Sequence, residues 1–121
     1  MELLIYILFL PVAMLITGAL MWRFPPKYKE LGYNTERSQS SPEAWAYAQW
    51  LSSRLITLTH IPVLILSVVT VVLGFVLNFS DDAATDALIA AIIIQLTVLF
   101  TVFGIIEAKL HKRFDRNGKP K

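Results

Sequence analysis

Long apolar runs alternate with polar stretches along the chain. Residues 3–22, 55–79 and 87–106 carry almost no charge, and the charged side chains gather in 23–54, 81–86 and 107–121. A helix of about twenty residues rises roughly 30 Å, the thickness of a bilayer's hydrocarbon core. Each run therefore predicts a membrane-crossing helix. The whole chain, residues 1–121, reads as a single all-α integral membrane domain with three transmembrane helices. A polar loop over 23–54 joins the first two spans, and a basic tail covers 107–121.

Local signals refine this outline. Pro11 falls inside the first span and leaves the Ile7 carbonyl without its helical partner, which predicts a kink. Trp22 and Phe24 suit a membrane interface, and Pro25-Pro26 stops the helix. The first run lacks the basic start and small-residue cleavage pattern of a signal peptide, so it reads as a retained span. Ser41-Pro42-Glu43 combines an N-cap serine, a proline at the first helical position and an acid in the first turn. From there Ala44, Ala48, Leu51 and Leu55 share one helical face, with Tyr47, Trp50 and Arg54 on another. This predicts a short interfacial amphipathic helix before the second span. A bend is expected between Leu51 and Pro62, where Pro62 frees the carbonyl of Leu58 and Thr59 or His60 can help to satisfy it. Asn78 to Asp86 reads as an acidic turn, and the tail is expected to fray beyond Phe114.

Composition supports the membrane reading. The chain is 55% hydrophobic and 17% charged, too little charge to cover a soluble domain of this size. It has no cysteine, so disulfides and thiolate chemistry are excluded. Two histidines cannot make a metal site unaided, and neither metal nor cofactor is expected. All eleven lysines and arginines lie in the first loop or the tail, none in 80–86 or before the first span. The positive-inside rule then puts the loop and C-terminus in the cytoplasm and the N-terminus outside, in a cell membrane. A basic tail beside membrane spans is a topology signal, so nucleic acid is not an expected partner.

Candidate chemistry is sparse. No catalytic triad, zinc-binding helix motif or phosphate-binding glycine loop occurs, and no enzyme activity is expected. The threonines and serines within the spans can bond their own helix carbonyls. Gln95 lies mid-span with donors that lipid cannot satisfy, so it calls for a helix or oligomer partner. His60, Gln95, Glu107 and Arg54 form a candidate intramembrane polar site. His60 and Glu107 lie in the same half of the bilayer, and Arg54 competes for Glu107. The bland reading of that group is a polar cap anchoring helix ends.

The loop carries the most specific pattern, FPPKYKELGYNTERSQSSPEAWAYAQ over residues 24–49. It resembles the signature of the SdpI-like family of small bacterial membrane proteins. The matching residues are Pro25, Pro26, Lys27, Gly32, Tyr33, Thr35, Arg37, Ser38, Ser41, Glu43, Trp45 and Ala48. Asn34 stands where that pattern has arginine, and the gap before Gly32 is shorter. The resemblance implies a protein of immunity and signalling, with a secreted peptide toxin and a cytoplasmic repressor as partners. Apart from that likeness, the prolines set the chain's exit from the span, and Gly32 offers a positive φ for a turn before Asn34. Arg37 can reach a lipid phosphate or Glu43.

The expected function is a non-enzymatic immunity or signalling protein that senses or neutralises a membrane-active peptide. Alternatives are a small transporter or channel subunit with a path lined by Thr57, His60, Gln95 and Thr101, and a structural subunit of a membrane complex. An oligomer or partner-bound subunit is expected, because three helices alone bury little.

Overall fold

The computed structural model describes residues 2–26 and 32–121. Expectations resting on Lys27 and Lys29 lie outside the described residues. The described chain is helical: a 3₁₀ segment, Glu2–Leu8, leads into α1, Phe9–Arg23, followed by α2, Pro42–Val76, and α3, Asp81–Arg113. Three helices are long and apolar enough to cross a membrane: Leu3–Arg23, Pro42–Val76 and Asp81–Arg113. Large apolar side chains such as Phe9, Leu66, Val76, Ile94 and Phe100 are exposed, and lipid is the solvent that suits them.

α2 and α3 are longer than the apolar runs. At 1.5 Å per residue each spans about 50 Å, well beyond the hydrocarbon core. The segment expected as a separate amphipathic helix is the N-terminal part of α2, which continues without interruption through Pro62. The reason is local: residues 50–56 contain no glycine or proline, and the Ser52 and Ser53 hydroxyls bond back to the carbonyls of Gln49 and Trp50. Ala44, Ala48 and Leu51 are buried, as the shared face predicts, but they pack on α3. The Leu58 carbonyl is not rescued as expected. Thr59 Oγ1 donates to Leu55 at 2.6 Å, and His60 Nδ1 donates to Ile56 at 2.9 Å. A helical side chain reaches back about one turn, which takes both to earlier carbonyls.

The turn between α2 and α3 is shorter than expected. Asn78 adopts φ 53°, and the N–H groups of Asn78 and Phe79 bond the Phe75 and Gly74 carbonyls. This is a Schellman closure with asparagine in the left-handed position. Ser80 then caps α3 by accepting from Ala83 N, and Asp81 and Asp82 occupy its first turn. The acidic stretch is therefore a helix start, since carboxylates suit the positive end of a helix dipole.

Two apolar clusters hold the bundle. One joins Leu4, Ile7, Val71 and Ala84 near the α2–α3 turn. The other joins Ala44, Ala48, Leu51, Ile56, Val102, Ile106, Leu110 and Phe114 at the opposite end. Gln95 lies between them. Its Nε2 donates to the Ile7 carbonyl at 2.8 Å and lies 3.2 Å from Ser67 Oγ. The carbonyl that Pro11 deprives of its helical partner is thus bonded from α3. Gln95 finds its partner within the chain, so it gives no reason to invoke an oligomer.

Candidate functional site

The far ends of α2 and α3 project together, and the loop from Gly32 to Ser41 folds onto them. Gln49, 2% exposed, makes the first tie. Its Oε1 accepts from Tyr33 N at 2.8 Å and its Nε2 donates to Tyr33 O at 2.6 Å. One carboxamide therefore pairs both backbone groups of a loop residue, as a neighbouring strand would. Gly32 is needed here for space: a Cβ would run into the Gln49 carboxamide and the Pro26 ring. Trp45 Nε1 donates to Pro26 O at 2.9 Å, tying the exit from α1 to the first turns of α2.

Ser38, fully buried, closes the loop on itself. Its Oγ accepts from Thr35 N at 2.7 Å and donates to Thr35 O at 2.8 Å, while Ser38 N reaches Thr35 Oγ1 at 3.3 Å. The turn so formed aims Arg37 at the end of α3. Arg37 Nη1 donates to Phe114 O at 3.3 Å, and Nη2 lies 2.9 Å from His111 Nδ1. Its protein partners are thus at the end of α3, and Glu43 is exposed in the first turn of α2. Guanidinium only donates, so His111 Nδ1 accepts and a neutral ring carries its proton on Nε2. That nitrogen lies 3.8 Å from Glu107 Oε2. Glu107 Oε1 in turn accepts from the Tyr33 hydroxyl at 2.7 Å. Burial, then the hydrogen bond to Glu107 and its charge, push the Tyr33 hydroxyl's pKa well above its ordinary value.

Tyr33, Glu107, His111 and Arg37 thus form one polar chain from the loop to the end of α3. Beside it lies a cleft of about 520 Å³ lined by Thr35, Glu36, Arg37, Glu107, His111 and Arg116. A second, of about 490 Å³, opens on the other side of Tyr33 and Glu107, toward Phe103 and Gly104. The arrangement can exchange hydrogen bonds and charge between the loop and two helices. Among the described residues no group of three His, Asp or Glu side chains converges to hold a metal.

The tail completes the site rather than fraying. Phe114 is 3% exposed and packs beside the Tyr47 ring, with centroids 5.8 Å apart. Asp115 carboxylate accepts from the N–H groups of Asn117 and Lys119, both at 2.9 Å. Those bonds, that to Lys119 first, draw its pKa below the ordinary carboxylate value. Gly118 turns the chain with φ 78°, and its carbonyl accepts from Ser41 Oγ at 2.6 Å. Ser41 also caps α2 through Ala44 N at 3.0 Å, so one hydroxyl serves as helix cap and tail latch.

The four residues expected to form an intramembrane site do not converge. Glu107 is engaged by Tyr33 and His111, and Gln95 by Ile7 and Ser67. Arg54 lies between two indoles, 4.5 Å from the Trp22 centroid and 4.9 Å from that of Trp50. His60 is fully buried, and its Nε2, like Thr57 Oγ1, meets no hydrogen-bonding group among the described residues. Of the loop motif, Pro26, Gly32, Tyr33, Thr35, Arg37, Ser38, Ser41 and Trp45 meet in one assembly, while Pro25 and Glu43 remain exposed.

Sequence reasoning missed Gln49, His111 and Gly118. Gln49 carried a readable signal, a carboxamide adjoining the small face of Ala44 and Ala48. His111 stands four residues after Glu107, the spacing of helical neighbours. Gly118 had no signal of its own, because its neighbour is Ser41. This chain matches no protein-family model, no curated protein and no solved structure.

Proposed function

We propose that this chain is a multi-pass membrane protein of the SdpI-like type that senses or neutralises a membrane-active peptide without catalysing a reaction. Its N-terminus lies outside and its loop and tail lie in the cytoplasm, as the one-sided distribution of basic residues favours. The observation that carries the reading is the clamped loop. Gln49 holds it to α2, Glu107 and His111 hold it to α3, and Ser41 holds the tail to both. A peptide that shifts the spans against one another changes the footing of this loop. That converts an event among the helices into a changed surface for a cytoplasmic regulator.

The transporter alternative draws less support. Its supposed path needs Thr57, His60, Gln95 and Thr101 together, yet Thr101 is exposed and bonds its own helix at Thr97. Expression in a strain sensitive to membrane-active peptide toxins tests the proposal. Survival rises with the intact protein and falls back with Arg37→Ala, which removes the loop's ties to His111 and Phe114. A chain that inserts normally and protects against no such peptide overturns it.

A further inference from the structure

A second cleft of charged character lies on the opposite side of the tail. It encloses about 450 Å³ and is lined by Tyr47, Lys109, Lys112, Arg113, Pro120 and Lys121. Four of these six side chains are cationic, and none is acidic. We propose that this cleft seats the phosphate headgroup of an anionic membrane lipid.

The cleft is built by the fold. Lys109, Lys112 and Arg113 follow the three- and four-residue spacing that puts helical side chains on one face. Lys121 arrives from the tail, where Lys121 N donates to Arg113 O at 2.9 Å beyond the Phe114–Pro120 bridge. The acidic side chain of the tail, Asp115, is turned into its own turn by the N–H groups of Asn117 and Lys119. The α3 C-terminus opposes an anion with only about half an elementary charge, which four cations outweigh.

Depth identifies the anion as a lipid's. Arg113 sits 4.6 Å from the Tyr47 ring centroid, and Tyr47 stacks on Trp50 at 6.2 Å. Trp50 then meets Arg54, and Arg54 meets Trp22 at the end of α1. Trp22 and Trp50 are both exposed. Exposed tryptophans and tyrosine at the ends of membrane helices lie at headgroup level. A cationic cleft in that belt meets lipid phosphates before any soluble anion. The proposal needs the chain to cross a bilayer and is independent of peptide sensing.

The test is native mass spectrometry of the full chain released from phosphatidylcholine nanodiscs doped with phosphatidylglycerol. The intact protein retains phosphatidylglycerol over phosphatidylcholine, and excess inorganic phosphate does not displace it. Each basic group held against an anionic headgroup contributes about fivefold. Lys109→Gln, Lys112→Gln and Lys121→Gln together therefore reduce the preference by about a hundredfold. The three matching Lys→Arg changes retain it. So does the combination Arg23→Gln, Arg116→Gln and Lys119→Gln, which removes the same charge outside the cleft. If the triple glutamine variant fails to fold, Lys121→Gln alone still lowers retention by about fivefold. Equal loss in the charge-matched control, unchanged retention in the cleft variants, or displacement by inorganic phosphate each overturns the proposal.

Discussion

Gln49 and Gln95 are both buried carboxamides, 2% and 3% exposed, and each ties a neighbouring segment by its backbone. Their surroundings differ. Gln95 sits among apolar side chains midway along α3 and bonds one carbonyl, that of Ile7, with Ser67 alongside. Gln49 sits at the helix ends and takes both the N–H and the C=O of Tyr33. Near Gln95 the backbone is otherwise helical, and a single defect made by Pro11 needs repair. The loop beside Gln49 is irregular, so several of its backbone polar groups depend on side chains. The Gln95 tie removes one penalty from a bundle that apolar packing already defines. The Gln49 tie helps to define the loop itself, and the ionisable groups are attached to that loop.

The largest expected effect is therefore at Gln49. Gln49→Leu leaves Tyr33 N without its partner and Tyr33 O with only Ser38 Oγ at 3.3 Å, and costs the docked loop about 2 kcal/mol. Hydrogen exchange over residues 32–41 accelerates, while α2 and α3 away from the loop keep their protection. Gln49→Glu sharpens the point, because it can still accept from Tyr33 N but donates nothing to Tyr33 O. It falls between the two. Exchange in Gln49→Leu equal to that of the intact protein would show that other contacts hold the loop.

A smaller effect is expected at Gln95. Interhelical hydrogen bonds within membrane bundles contribute about 0.6 kcal/mol on average and at most about 1.7 kcal/mol. Gln95→Leu destabilises the bundle by about that amount in detergent unfolding and leaves loop exchange unchanged. Pro11→Ala restores an N–H at residue 11, able to bond Ile7 O if the helix runs straight. In that background Gln95→Leu costs less, and the double-mutant cycle shows a coupling. Strict additivity of the two changes would mean that the Ile7 carbonyl was not what Gln95 repairs.

The same contrast explains what the sequence made legible. Apolar runs revealed the spans, because lipid enforces a simple composition rule over about twenty residues. They understated α2 and α3, because helix outside the lipid is polar on one side and resembles loop or acidic turn. Ser80 with Asp81 and Asp82 reads as a helix start once α3 is known to begin there. Tyr33, Arg37, Ser38 and Trp45 were singled out by spacing and residue type within one segment. Their partners lie on other elements, and only the fold brings His111 to Arg37 or Gly118 to Ser41. His60 and Glu107 were grouped by depth alone. Depth does not specify helix face, and the Tyr33 hydroxyl takes the carboxylate.

The smallest effect is a pH response confined to the loop-and-tail end. Asp115 has a lowered pKa in the folded chain, because its carboxylate accepts two backbone N–H bonds. Its contribution is present above the unfolded value of about 3.9 and is lost as pH falls through the lowered value. Tyr33 has a raised pKa, through burial and the neighbouring Glu107. Its contribution is fully present below about 10, the unfolded value, and is lost as pH rises through the raised one. With respect to these two groups the docked loop is level between about pH 4 and pH 10 and weakens outside that window. Exchange of residues 32–41 and 114–119, measured across pH and corrected for intrinsic rates, reports both limbs. Tyr33→Phe removes the alkaline limb, and Asp115→Asn removes the acid limb while leaving the other in place. The Gln95 tie contains no ionisable group, so the Gln95→Leu destabilisation should keep its size across the same range. An Asp115 midpoint at or above the ordinary carboxylate value would mean that its two backbone bonds do not persist in solution, and that the tail is not held to Ser41 as described.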